Sequence, residues 1–158
     1  MKLNSILTVV LILSFIGCEG KKTENTSNQP KGRTITIVDE LTFINKDGED
    51  ISTISIALAD EPDERNQGLM DVNEMGQDEG MLFIFDNEEL QAFWMANTPL
   101  PLDIMYVNND SVIVRIYQNT TPFSQTTLPS EAPARYVVET NGGYALRHGI
   151  TEGDKIRF

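Results

Sequence analysis

From Thr34 onward the apolar residues of this chain come mostly in short runs of strand character, closed by polar or glycine-containing turns. Runs of this length must lie side by side to pair their backbone groups, so a sheet is the fold they permit. The segment "TITIVDELTFI" is β-branched and partly alternating. In "ISTISIALA", Ile54, Ile56 and Leu58 fall on one face, with Ser55 and Ala57 on the other. Asn45 to Asp50 between them is turn-like. "MLFIF" is a continuous apolar run suited to a strand buried on both faces. "DIMYV" and "VIVRIYQ" flank Asn108, Asn109 and Asp110, a polar turn that favours a hairpin. "RYVVET" and "DKIRF" are further strand candidates.

Two short helices are expected beside these strands. Asp60 can cap a turn beginning near Pro62, with the acids of "PDERNQGLM" at its positive end and Gly68 limiting its length. "GGYALRHG" lies between two glycine punctuators. The balance predicts a β-dominated α+β fold, a compact single domain of short, mostly antiparallel strands in a curled sheet or small barrel.

The N-terminal segment is of another kind. "MKLNSILTVVLILSFIGC" has a positive start at Lys2, an apolar run from Ile6 to Ile16 too short for a comfortable membrane span, and a small residue before Cys18. Its end, "FIGC", resembles the lipobox of bacterial lipoproteins. Residues 1–17 are therefore expected to be a signal peptide and Cys18 the lipidated N-terminus of the mature chain. Residues 18–33 then form a tether, in which "EGKKTENTSNQPKGR" offers no aliphatic or aromatic side chain for burial. The globular domain spans 34–158. This reading places the protein in the bacterial cell envelope, held to a membrane by lipid on its periplasmic or surface face. The single cysteine permits no internal disulfide.

Charge narrows the partners. The chain carries 24 acidic against 12 basic residues, a formal net charge of -12, and offers no basic face to a phosphate backbone. Nucleic acid is not an expected partner. Between Asp60 and Glu89 the only basic residue is Arg65, so this acidic run is a solvated face, or a surface for a basic partner or for weakly held divalent cations.

The chemistry concentrates in "FWMANTPLPLDIMYV", residues 93–107. Pro99 and Pro101 fix two φ angles and push Thr98 and Leu100 toward extended geometry, giving a stiff bend. Asn97, Thr98 and Asp103 can order a ligand or hold the bend itself. Asp103, between Leu102 and Ile104, needs a cation or several donors, and Arg65 and Arg135 are the cations considered. Asp103 and Glu139 would make a general acid and base only if they share a cleft. All methionines beyond the initiator lie between Met70 and Met105. Of these Met70, Met81 and Met95, with Trp94, form a candidate Cu(I) site, while plain core packing is the simpler reading. His148 has no histidine or cysteine companion and suits the negative end of a short helix. Asn141, Gly142 and Gly143 can form a backbone nest for an anion. The chain has no nucleophile elbow and no phosphate loop, and no cofactor is expected.

The blocks "RNQGLM", "EGMLFIF", "FWMANTPLPLDIMYV", "YVVETNGGYALRHGI" and "GDKI", in this order and spacing, resemble the DUF192 family of small, often exported bacterial and archaeal domains. The resemblance covers roughly Ile54 to Phe158. The family pattern maps onto Arg65, Gly68, Leu69 and Met70, onto Gly80 to Phe83, onto Phe93, Trp94, Met95, Asn97, Thr98, Pro101, Leu102 and Asp103, and onto Glu139 and Gly143. Ala96 departs from it, standing where the pattern has a longer polar or basic residue. The resemblance implies a fold and no reaction. The expected function is a lipid-anchored, non-catalytic domain that binds a small ligand or an envelope protein through Arg65, Trp94, Asn97, Thr98, Asp103 and Glu139. The alternative is an enzyme using Asp103 and Glu139, or the soft-metal site.

Overall fold

A computed structural model describes residues 32–158; the signal segment, Cys18 and most of the tether lie outside the described residues. In chain order the elements are β1 (Asp39–Ile44), β2 (Asp50–Ala59), α1 (Pro62–Gln67), β3 (Glu79–Phe93), β4 (Leu102–Val107), β5 (Ile113–Tyr117), β6 (Leu128–Asn141), α2 (Tyr144–His148) and β7 (Lys155–Arg157). The strands form one seven-stranded sheet in the order β5-β4-β6-β3-β2-β1-β7. Every pairing is antiparallel except β2 with β3, whose parallel register requires a crossover, and α1 lies in that crossover.

The sheet curls until its edges meet. Val112 bridges Lys155, and the Ile113 amide donates to the Asp154 carbonyl at 2.8 Å. The concave face holds one core, with Leu41, Phe43, Ile54, Leu82, Met105 and Val138 all fully or nearly fully buried. Period-two alternation sends Met81, Phe83, Ile104, Tyr106 and Val137 to the convex face, where a second core forms. Two cores on one sheet explain why β4 is buried at all six positions and why its sequence is an unbroken apolar run apart from Asp103.

The convex core is covered in part by the sheet's own extension. The β3–β6 ladder is broken between Ile84 and Glu89, and the ribbon folds there. Phe93, ten positions along β3 from Phe83, returns to it with ring centroids 5.0 Å apart and then meets Tyr106 at 5.8 Å. The segment before β1 contributes a bridge between Arg33 and Val72 rather than a longer strand, so the ladder begins at Asp39, later than "TITIV" suggests.

The helices are short. At α1 the cap falls on Glu61, one residue after Asp60, and the Glu64 carboxylate accepts from the Glu61 amide at 3.2 Å. Gly68 ends the helix at φ 44°, in space too tight for a side chain: a Cβ there would lie 3.1 Å from the Phe83 ring. The α2 helix runs between the left-handed Gly143 and Gly149.

Candidate functional site

The folded β3–β6 ribbon on one side, and α1 with the loop after it on the other, leave a cleft of about 370 Å³ above the convex face. Its walls carry Phe83, Phe85, Phe93 and Trp94, with Leu69 and Met70 opposite, and Arg65, Gln91, Thr98 and Glu139 supply polar groups. Phe83 and Phe85 point the same way because they are two residues apart on β3, and the ribbon fold adds Phe93. Trp94 remains 56% exposed, so it rims the cleft rather than filling a core.

Glu139 lies on β6 opposite Met81 on β3 and Ile104 on β4, in the middle of the sheet. Its residue is 4% exposed, and its Oε2 is buried without a hydrogen-bond partner among the described residues. Burial alone pushes its carboxyl up to about 8, because no donor or cation favours the charged form. At neutral pH it is mostly the protonated acid. Gly80, beside Met81, lets the ribbon close: a Cβ there would lie 2.6 Å from the Glu139 carbonyl oxygen. Gln91 Nε2 is also buried and unpartnered. Orphaned buried polar atoms are uncommon in folded proteins, and two residues lining this one cleft carry them. Tyr106, on the same face, is lifted well above its ordinary value by burial and donates to the Leu128 carbonyl at 2.5 Å.

Arg65 frames the opposite part of the cleft. Its guanidinium donates to the carbonyls of Asp60 and Ile84, the latter at 2.9 Å, and stands 5.5 Å from the Phe85 ring centroid. These contacts use it to hold α1 against β3.

Asp103 lies elsewhere. It pairs across the ladder with Thr140 while Ile104 pairs with Glu139, so the side chains of Asp103 and Glu139 leave opposite faces of the sheet. One cleft does not hold both carboxylates. Asp103 meets neither Arg65 nor Arg135; its oxygens accept from the backbone amides of Asn119 at 2.7 Å, Gly143 at 2.9 Å and Ala145 at 2.8 Å. Of the nest read at Asn141 to Gly143, only the Gly143 amide is turned to a carboxyl group, that of Asp103; the Gly142 amide donates to the Pro101 carbonyl at 2.8 Å. Arg135 donates instead to Asn109 Oδ1 at 2.7 Å.

The remaining candidates divide. Asn97 is exposed with φ 55°, a turn position that asparagine tolerates, and its carbonyl accepts from the Asp71 amide at 2.8 Å. Thr98 is buried at the cleft margin, its hydroxyl donating to the Ala96 carbonyl at 3.3 Å. Of the methionines, Met70 lines the cleft, Met81 lies beside Glu139, and Met95 is 1% exposed with its sulfur accepting from the Thr120 hydroxyl at 3.2 Å. His148 stacks on Tyr144 at 4.2 Å. No group of three or more His, Cys, Asp or Glu side chains among the described residues is arranged to hold a metal.

Sequence reasoning missed Phe83, Phe85 and Gln91 as cleft residues. The alternation in "MLFIF" carries the signal for the two phenylalanines. Arg33 was also missed. It donates to the carbonyls of Gly68 and Met70 and so fixes the wall after α1.

The profile of the DUF192 family, described as Uncharacterized ACR, matches residues 42–158. The chain is similar to a Sinorhizobium meliloti protein named as a candidate transcription regulator, with 33% identity and a TM-score of 0.74, over 79% of this chain and 97% of the other. It is also similar to a protein of unknown function from Novosphingobium aromaticivorans, with 37% identity and a TM-score of 0.73, over 78% of this chain and 86% of the other. No curated protein matches it.

Proposed function

The chain belongs to the DUF192 family, and from that premise we propose that its domain is a non-catalytic binding module that takes a small molecule into the cleft above Glu139. The observation that carries this reading is Glu139, which lines the cleft with a carboxyl oxygen, Oε2, that is buried and has no partner among the described residues. A carboxyl held in this way destabilises the empty fold, and a bound group that pairs with it recovers the loss. The aromatic walls supply apolar contact and the few polar groups supply orientation, the usual division in a small-molecule site. Asp103 and Asn97 support the site from outside, by fixing the α2 turn and the loop beneath Trp94. We further propose, from the segment ending at Cys18, that the module is anchored by lipid in the bacterial envelope.

The name of the Sinorhizobium protein gives no reason to add DNA as a partner, because a net charge of -12 works against phosphate binding. Trp94 is the only tryptophan and rims the cleft, so its emission reports on occupancy. Titrating the full-length chain with a mixed library of polar and aromatic fragments should give saturable changes in Trp94 emission. Ala92→Phe, which fills the cleft from an exposed wall position, should abolish them. A library that leaves Trp94 unmoved, or responses that survive Ala92→Phe, would refute the assignment.

A further inference from the structure

We propose that the ligand is a small organic cation, with an alkylated ammonium head seated against Glu139 and a hydroxyl or carbonyl near Gln91. This rests on the ligand-binding reading above and names its chemical class. Three observations converge on it. Glu139 carries a buried oxygen with no partner, and no Lys or Arg reaches it, among the described residues. Phe83, Phe93 and Trp94 line the same cleft, and the negative faces of aromatic rings attract cations most strongly where water is excluded. Among the described residues Arg65 is the one basic side chain lining the cleft, and it is engaged at Phe85 and with two carbonyls. Phe85 is four residues along β3 from Met81, the partner of Glu139, a rise of up to about 13 Å. Among the described residues, the Glu139 end of the cleft therefore has no positively charged neighbour. An anion would find no cation there and would lie against the negative faces of the rings, and a neutral alcohol would leave those faces unused.

The charge balance is simple. The protonated Glu139 carboxyl releases its proton to solvent, and the resulting carboxylate pairs with the ammonium, so the cleft gains a neutral ion pair and no bond to the ligand forms. Other titratable groups around Glu139 are Tyr106 on β4 and Glu79 on β3, two residues from Met81 on the same face, with Asp103 of β4 on the opposite face and Arg65 of α1 elsewhere in the cleft wall; β2 contributes Ala57 at this level.

Choline and its neutral carbon isostere, dimethylbutanol, separate the alternatives, because they share shape and hydroxyl and differ in charge. The full-length chain is titrated with each, read by Trp94 emission and by calorimetry at pH 7 in phosphate and in Tris. Choline should saturate, and the isostere should bind at least tenfold more weakly. Close to one proton should be released per site on choline binding. Glu139→Gln should weaken choline at least tenfold while its circular dichroism stays that of the folded chain. Equal binding of the two probes, unchanged affinity in Glu139→Gln, or binding without proton release would overturn the cation assignment. If neutral fragments still move Trp94 and Ala92→Phe still blocks them, the binding reading survives that failure. If neither charged nor neutral probes move Trp94, both fail.

Discussion

Replacing Glu139 with Gln is expected to stabilise the protein, by an amount that grows with pH. The carboxyl has an ordinary value of 4.5 and is pushed up to about 8 in the fold by burial. Between those values the folded state holds a proton that the unfolded state has released, so stability falls as pH rises, at about 1.4 kcal/mol per pH unit. Below the lower value both states are protonated and there is no penalty; above the upper value the penalty is constant. Linkage puts the penalty at about 1 kcal/mol at pH 5 and about 3 kcal/mol at pH 7. Gln keeps the shape and cannot ionise, so the variant should unfold roughly 10 °C higher than the natural chain at pH 7. Urea denaturation followed by far-ultraviolet circular dichroism from pH 5 to pH 9 measures both proteins, and their difference isolates Glu139 from every other titrating group. A difference that stays flat across this range, or a variant less stable than the natural chain at pH 7, would refute the reasoning.

Further outcomes follow from the other placements. Asp103→Asn turns an acceptor of three backbone amides into a group that accepts at one end only, and should cost roughly 3 kcal/mol in urea denaturation; a near-neutral result would mean that the α2 turn holds without it. Trp94→Ala should cost less than about 1 kcal/mol, since the ring is mostly exposed, and a loss of several times that would show it to be packed in solution. Cu(I) added under reducing conditions should leave Trp94 emission unchanged, because the Met95 sulfur is buried and already accepts a hydrogen bond; stoichiometric quenching that Met95→Leu removes would restore the thioether reading. Cys18→Ser should move the protein out of the detergent phase in Triton X-114 partitioning, and unchanged partitioning would reject the anchor.

The strands were legible because alternation and turn residues are local signals. The hairpin across Asn108 to Asp110 and the short helix after Gly143 are where those signals place them. Asp103 shows where legibility stops. Its burial was readable from Leu102 and Ile104, but its partners are backbone amides, which no residue letter marks, so arginines were considered in their place. The pairing of Asp103 with Glu139 failed on register: a one-residue offset between neighbouring strands sends side chains to opposite faces, and register is set by the whole sheet. The cleft was the least legible feature. It depends on the fold in the ribbon between Ile84 and Glu89, where the polar run Asp86 to Glu89 reads equally well as a plain turn.

The position of β6 has a consequence for how the chain matures. It is the sixth strand to be synthesised, yet it lies between the β1-β2-β3 group and the β4-β5 hairpin and pairs with both; the other link between them, through β7, is made later still. Until residues 128–141 leave the ribosome the two groups have no shared ladder, and the contacts that close the sheet span long stretches of sequence. Topologies of this sort fold slowly, in milliseconds to seconds, and late relative to translation. Until its central strand arrives the polypeptide cannot close the sheet, and the apolar faces of the earlier strands stay uncovered and open to association.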